Sequence, residues 1–286
     1  MIYQNGNTTV EIQKDGTKIR SCDDVPVPVF PESIDLKVTS YCDLSCAFCH
    51  EDSTKKGKHA NLDDYHFLID QLPSGVELAI GGGNPMSHPD IVDFLLMARD
   101  KCIICNMTMN ELHLKPYKEQ LTDLIKANLI KGLGVSYDGS RPKELEYFSN
   151  LTPNLVFHVI MGVHPLSCLN DIKKYSEKVL ILGYKQFRRG VLYHSKAVED
   201  NKYLWYIHLP KHFGSMTLSF DNLAIDQLNL HRWFTDDSWD TFYMGDDGTF
   251  TMYVDAVRNE YAVSSITVKR RAVNNDIKSM FANVRG

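Results

Sequence analysis

Three of the seven cysteines lie within eight consecutive positions, in the segment SYCDLSCAFCHED. They are Cys42, Cys46 and Cys49, in a C-x3-C-x2-C spacing that His50 follows directly. A structural zinc site takes four protein ligands, so zinc would need His50 as well, and adjacent residues rarely reach the same ion. An iron–sulfur cubane is the alternative, because three thiolates hold three irons and leave the fourth open to a non-protein ligand. The spacing predicts a metal centre of one of these two kinds.

Two other segments place candidate binding residues directly after apolar runs. Gly81 to Asn84 follow VELAI, and glycines there either let the backbone approach a ligand closely or form a tight turn. The segment GYKQFRRG follows VLIL, and its Lys185 and Arg188 are suited to pairing with the carboxylate of a cofactor or an acidic substrate. Ordinary solvated charges are the alternative interpretation of both cations.

A parallel sheet is expected to position these residues, since short β-rich runs alternate with amphipathic stretches. The predicted strands are residues 33–40, 76–82, 102–109, 133–139, 155–163 and 179–184. Parallel neighbours need crossover connections, so strands separated by helices predict a parallel arrangement. Six strands are too few for a complete eight-stranded barrel. We therefore predict an α/β fold, a partial (β/α)6 TIM-like barrel with its ligands at the carboxyl ends of the strands.

The two ends of the chain fall outside this alternation, which predicts three regions. Residues 1–31 contain two β-like runs around Gln13–Gly16 and are predicted to form a β-hairpin. Residues 32–198 are the predicted barrel. After residue 198 the alternation stops, and residues 199–286 are predicted to form a smaller α+β cap that contains a second hairpin in TFTMYVDAVRNEYAV.

Composition limits the classes of function. The formal net charge is -5, with 31 Lys and Arg against 36 Asp and Glu, so we expect no nucleic-acid footprint. The N-terminal segment lacks the pattern of a signal peptide, and no apolar run is long enough to cross a bilayer. We therefore expect no membrane association and a cytoplasmic protein, whose cysteines are thiols or metal ligands rather than disulfides. Cys102 and Cys105 fall on opposite faces of a predicted strand and are expected to be packing thiols.

The cysteine loop after the first strand of a six-stranded partial barrel resembles that of the radical S-adenosylmethionine (radical SAM) enzymes. The aromatic residue before the last cysteine, Phe48, is also typical of them. The resemblance implies one [4Fe-4S] cluster on Cys42, Cys46 and Cys49, with S-adenosylmethionine chelating the open iron. It further implies reductive cleavage of S-adenosylmethionine to a 5'-deoxyadenosyl radical, which abstracts a hydrogen atom from the substrate. The cofactors carry that chemistry, and the protein supplies binding and orientation.

The same resemblance implies roles for residues at other strand ends. It assigns the loop of Gly81, Gly82 and Gly83 to the amino group of the methionine moiety. Asn84 stands where the family usually has glutamate, which predicts somewhat weaker binding. Ser136 corresponds to a hydroxyl that contacts the ribose or the carboxylate, and Asn110 resembles a polar position that faces the cofactor or substrate.

The C-terminal region resembles a SPASM or twitch extension, a cap found in radical SAM enzymes that modify peptides. No cysteine follows Cys168, so the resemblance implies a degenerate extension without an auxiliary cluster. A peptide substrate is expected, with a nucleotide or another small molecule as alternatives, and a flavodoxin or ferredoxin as reductant. The alternatives for the whole chain are a glycyl-radical-activase-like enzyme, a zinc-stabilised binding protein and a non-catalytic partner protein.

Overall fold

A computed structural model describes residues 1–13 and 17–285, in which strands and helices alternate along most of the chain. The strands are β1 Ile2–Asn5, β2 Thr8–Ile12, β3 Lys18–Ser21, β4 Ser33–Thr39, β5 Glu77–Gly82, β6 Ile104–Asn110, β7 Gly132–Ser136, β8 Leu155–Ile160, β9 Lys178–Leu182, β10 Thr217–Phe220, β11 Thr251–Asp255, β12 Glu260–Ala262 and β13 Arg271–Ala272. The α-helices are α1 His66–Gln71, α2 Ile91–Asp100, α3 Glu111–Leu114, α4 Lys118–Lys126, α5 Pro142–Leu151, α6 Cys168–Ile172, α7 Arg189–Tyr193, α8 Lys196–His208, α9 Asn222–Leu228, α10 Asp236–Phe242 and α11 Ile277–Arg285. No described helix is both long and apolar enough to span a membrane.

The central sheet confirms the predicted fold class. Strands β4 to β9 lie side by side in chain order, and every neighbouring pair among them is parallel. Alternation of side chains gives this sheet two different faces. In β4, Ile34, Leu36 and Val38 are buried in the hydrophobic core that the flanking helices share. Asp35 and Lys37 lie on the opposite face, which lines the inside of the curved sheet and is here called the inner face.

The sheet continues beyond the predicted barrel, so the expectation that alternation stops after residue 198 is wrong. Strand β10 adds to β9 in parallel, and β11 adds to β4 in parallel. The sheet order is β10-β9-β8-β7-β6-β5-β4-β11-β12-β13. Eight consecutive strands of this order, β10 through β11, are parallel, and the C-terminal region supplies two of them. Part of the predicted cap therefore belongs to the main sheet that forms the barrel wall. The division of the chain at residue 198 stays a prediction.

The N-terminal region forms a three-stranded antiparallel sheet in the order β1-β2-β3, one strand more than the predicted hairpin. Strands β2 and β3 are antiparallel partners, while the predicted turn at Gln13–Gly16 lies largely outside the described residues. Lys18 contacts Glu77 at 3.1 Å, and Arg20 contacts the nearly inaccessible Glu32 at 2.7 Å. Because Glu32 and Glu77 lie at the amino ends of β4 and β5, this small sheet covers the amino edge of the barrel.

Two other sequence predictions have clear outcomes. The hairpin predicted in the C-terminal region is present, since β11 pairs antiparallel with β12. Cys105 is buried, as a packing thiol should be, whereas Cys102 is exposed in a turn at a φ of 56° and precedes strand β6. The prediction that Cys102 is a packing thiol in a strand is therefore wrong, because helix α2 ends next to it and the chain turns there.

Candidate active site

The cysteine loop begins at the carboxyl end of β4 and folds back on the strand that precedes it. The Cys42 amide donates to Thr54 at 2.9 Å, and the Cys49 amide donates to Cys46 at 3.2 Å. Burial raises the pKa of the Cys46 thiol, and nearby thiolates at Cys42 and Cys49 raise it further. The loop therefore brings the three predicted ligands close enough for their charges to interact. Thiolates crowded in this way gain from a bound metal centre that neutralises them.

His50 belongs to no group of three close ligand atoms among the described residues, which disfavours a Cys3His zinc site. Its Nε2 atom lies 3.5 Å from Glu51, and its ring lines a pocket together with Phe48, Ile160 and Lys185. Burial and the nearby ammonium of Lys185 lower the pKa of His50 to about 3, so the imidazole is neutral. To act as the fourth ligand of a zinc ion, His50 would have to leave this pocket.

A different histidine approaches the cysteine loop from helix α3. His113 is buried, and its Nε2 atom lies 2.7 Å from Asp43. The ligand atoms of Cys42, Asp43 and His113 all lie within 4.8 Å of one another. Sequence reasoning missed His113, because the pattern HLKPY gives no sign that α3 would lie beside the cysteine loop. We interpret the pair as a support that orients the loop at its first cysteine.

The glycine loop adjoins the cysteine loop through its backbone. The Gly83 amide donates to Thr39 at 2.8 Å, and the Asn84 amide donates to Tyr41 at 2.7 Å. A side chain at Gly83 would place Cβ 2.0 Å from the Tyr41 carbonyl oxygen, so only glycine fits there. At Gly82 a Cβ would lie 2.4 Å from the Thr39 oxygen, and its φ of 115° also favours glycine. By contrast, nothing lies within 4 Å of a Cβ built at Gly81, so free space borders the backbone there.

Asn84 is buried, and only one end of its side chain has a partner. Its Nδ2 donates to the Tyr117 hydroxyl at 3.3 Å, while its Oδ1 is buried without a hydrogen-bond partner among the described residues. A buried unsatisfied carbonyl costs about 1–3 kcal/mol, and ligand-binding sites are where such atoms persist. The loop predicted to bind a ligand therefore contains both free space, at Gly81, and an unused acceptor, at Asn84.

Asn110, Ser136 and His158 form a row across three neighbouring strands. The register pairs Asn110 with Ser136 and Ser136 with His158, so all three side chains lie on the inner face. Asn110 is partly used in the fold, because its Oδ1 caps α3 by accepting from Leu112 at 2.9 Å. Burial, followed by the charge of Lys185, lowers the pKa of His158 to about 4 and keeps the ring neutral. The row offers polar atoms for a neutral or hydrogen-bonding ligand.

The two predicted cations have different surroundings. Lys185 donates to the Ser265 hydroxyl at 3.1 Å and faces the inner surface, where it influences His50 and His158. Arg188 instead donates to the Glu51 carbonyl oxygen at 2.8 Å and lies 3.5 Å from the Glu51 carboxylate. Arg188 is thus occupied in fastening the loop after β9 to the cysteine loop.

Glu51 is the centre of a buried ion cluster that sequence reasoning missed. Lys37 contacts Glu51 at 2.6 Å and Asp255 at 3.2 Å, and the Tyr253 hydroxyl donates to Glu51 at 3.0 Å. Burial would raise the pKa of Glu51, but the charge of Lys37 and the hydrogen bonds from Lys37 and Tyr253 outweigh it and lower that pKa. Tyr253 and Asp255 belong to β11, so the C-terminal strand holds the end of the cysteine loop. Lys37 shows in the sequence only as a charge alternating with apolar residues of a strand.

Comparisons with known proteins agree with this architecture. Residues 36–169 match the family model described as the Radical SAM superfamily. The fold resembles the crystal structure of Streptococcus suis SuiB bound to S-adenosylmethionine, with a TM-score of 0.61 and 13% sequence identity over 91% of this chain and 69% of SuiB. SuiB bound to the precursor peptide SuiA matches with a TM-score of 0.56 and 12% identity, over 86% of this chain and 63% of SuiB. A third SuiB structure matches with a TM-score of 0.55 and 15% identity, over 89% of this chain and 66% of SuiB.

The chain thus spans roughly two thirds of the length of SuiB, and at these identities the likeness shows a shared fold. No curated protein sequence matches the chain significantly. The matched segment contains the cysteine loop, the glycine loop, Asn110 and Ser136. A [4Fe-4S] cluster and S-adenosylmethionine are the cofactors that membership of this superfamily implies. The chain carries a match to the Radical SAM superfamily over residues 36–169, and this domain together with the shared fold supports an enzyme.

Proposed function

We propose that this enzyme binds one [4Fe-4S] cluster through Cys42, Cys46 and Cys49 and acts on a peptide. The observation that carries the proposal is that one loop after β4 holds all three thiols, with Cys42 and Cys49 near enough to influence the pKa of Cys46. When bound, the cluster and S-adenosylmethionine supply one-electron cleavage to a 5'-deoxyadenosyl radical, which removes a hydrogen atom from the substrate. The residues of the chain bind, orient and enclose these groups.

The glycine loop is the proposed site of the methionine moiety. Gly81 leaves the space, and Gly82 and Gly83 let the loop lie directly against the cysteine loop. The free Oδ1 of Asn84 is an acceptor suited to an ammonium group, and the neutral amide is a weaker partner than the usual glutamate. Asn110 and Ser136, neighbours in register, are the proposed contacts of the ribose or the carboxylate. Phe48 lines the adjoining pocket, where its ring makes an edge contact with Tyr193.

Lys185 and Arg188 were both predicted as partners of a cofactor carboxylate, and the contacts favour Lys185. Among the described residues, the partner of its ammonium is a neutral hydroxyl, whereas Arg188 already contacts Glu51. We propose that Lys185 attracts a ligand carboxylate and that Arg188 acts on the cofactor through the cysteine loop.

A peptide is the favoured substrate because the related fold of SuiB binds a precursor peptide. A degenerate SPASM or twitch extension, a flavodoxin or ferredoxin reductant and a cytoplasmic location complete the proposal.

The test is anaerobic reconstitution with iron and sulfide, followed by reduction with S-adenosylmethionine and an assay for 5'-deoxyadenosine. We expect a brown protein that forms 5'-deoxyadenosine, and a Cys46→Ala variant that does neither while keeping its far-ultraviolet circular dichroism. Cys102→Ser is the matched control, because this exposed thiol lies outside the loop. A colourless zinc protein, or cleavage that survives Cys46→Ala, would refute the proposal.

A further inference from the structure

Asp35 is an inner-face carboxylate without a partner in the part of the chain that the structure describes. It lies in the middle of β4, between Ala79 of β5 and Tyr253 of β11 in register. Its side chain is exposed to the inside of the barrel, and among the described residues it makes no hydrogen bond and no ion pair. Ala79 is too short to reach it, and the Tyr253 hydroxyl is committed to Glu51.

The other carboxylates that influence Asp35 all have partners. Glu77 binds Lys18 at 3.1 Å and accepts from Asn106 at 2.6 Å. Asp221 accepts from the backbone amides of Gly183 and Ala224, each at 2.8 Å. Asp247 accepts from Asn222 at 2.9 Å. These three serve the fold, which leaves Asp35 as the inner-face acid of this group that is available to a ligand.

The surroundings of Asp35 favour a bound cation. Enclosure by the barrel raises its pKa to about 6, and Glu77, Asp247 and Asp221 act in the same direction against the opposing charge of Lys185. A carboxylate held where its negative charge is disfavoured gains from any cation that comes within reach. Space is available beside it, because the neighbouring inner-face position on β5 is the small residue Ala79.

We propose that Asp35 binds a lysine or arginine side chain of the peptide substrate and so selects peptides with a basic residue near the reacting position. The inference rests on the proposed function and adds the charge of the substrate to it. The other available cation is S-adenosylmethionine itself. Gly81, which borders its proposed site, pairs in register with Lys37, two residues nearer the carboxyl edge and thus about 7 Å from Asp35 along the strand. That separation favours the substrate.

The experiment compares two pools of random hexapeptides that differ only in a fixed central lysine or norleucine. Equilibrium dialysis measures peptide binding, 5'-deoxyadenosine formation measures turnover, and calorimetry measures S-adenosylmethionine binding. We expect the wild-type enzyme to prefer the lysine pool by about tenfold or more, as a charge-assisted hydrogen bond predicts. Asp35→Asn should abolish that preference, and Asp35→Lys should transfer it to a third pool with a fixed glutamate. Exposed Asp63→Asn is the control and should behave as wild type.

Each contrary result has a separate meaning. Equal binding of the lysine and norleucine pools by the wild-type enzyme, or a preference that survives Asp35→Asn, overturns the role of Asp35. Weaker S-adenosylmethionine binding in Asp35→Asn overturns it too, by assigning the cation to the cofactor. A reconstituted wild-type enzyme that forms no 5'-deoxyadenosine contradicts the proposed function, whereas the dialysis experiment still decides whether Asp35 selects basic peptides.

Discussion

Among the residues that the structure describes, charged side chains are paired at the carboxyl edge of the sheet, whereas in the middle of its inner face a carboxylate is unpaired. At the edge, Lys37 is nearly inaccessible and contacts both Glu51 and Asp255. Two residues earlier on the same strand, Asp35 faces the inside of the barrel and has no partner among the described residues. Paired charges at the edge join the cysteine loop to the sheet, whereas an unpaired charge costs stability and is useful only to a ligand. Paired charges therefore mark residues that hold the site together, and an unpaired charge marks a residue that is available to bind a ligand.

The largest effect is expected from breaking the paired cluster at the edge. Lys37→Met would leave Asp255 buried without its cation and Glu51 with only the more distant Arg188, and breaking a buried ion pair typically costs about 3–5 kcal/mol. Urea unfolding of the variant and the wild type measures the difference. Lys55→Met, a change of the same type at an exposed position, is the control and should stay within about 0.5 kcal/mol of wild type. A loss for Lys37→Met no larger than that of the control would mean that the cluster does not support the site.

Within its three residues, the glycine loop contains both a position that holds the site together, Gly83, and a position that is available to a ligand, Gly81. Gly83→Ala places a methyl group against the Tyr41 carbonyl and should destabilise the protein by about 2–3 kcal/mol. Gly81→Ala meets open space, so its unfolding free energy should stay near that of wild type while its affinity for S-adenosylmethionine falls. Urea unfolding and calorimetry on both variants separate the two outcomes. If Gly81→Ala binds S-adenosylmethionine as tightly as wild type, the cofactor does not approach that side of the loop.

The sequence was sufficient for the parts of the fold that rest on local patterns. Six strands were predicted from alternation, and the cysteine and glycine loops were placed at the correct edge because each directly follows a strand. Strand β10 was missed as a parallel strand because its four residues show no fully buried face. Strand β11 was predicted within a hairpin, but its second partner, β4, lies more than 200 positions earlier. The cluster of Lys37, Glu51 and Asp255 depends on that long-range pairing, so no local signal could reveal it.

A smaller effect tests whether the C-terminal strand holds the cysteine loop. Tyr253→Phe removes only the hydroxyl that donates to Glu51 at 3.0 Å. Hydrogen bonds to charged groups contribute about 1.5–3 kcal/mol, and we expect a loss at the lower end, because Lys37 and Arg188 still serve Glu51. Tyr203→Phe, an exposed position on α8, is the matched control and should have no effect. The iron content after reconstitution should fall for Tyr253→Phe alone, and an unchanged content would limit Tyr253 to a role in stability.

The smallest effect has the opposite sign and concerns Asp35. In the folded protein its pKa is raised from 3.8 to about 6, so the folded state binds the proton more tightly than the unfolded chain does. Ionisation above that pKa therefore costs folding free energy, and Asp35→Asn should stabilise the protein at neutral pH by about 1 kcal/mol, a figure reduced for the exposure of the side chain. The gain should shrink as the pH falls through 6 and vanish below 3.8, where the carboxyl group is neutral in both states. Thermal unfolding across this range measures it, with Asp63→Asn as control. Destabilisation by Asp35→Asn at neutral pH would show that the carboxylate has a partner within the fold and is not held in reserve for a ligand.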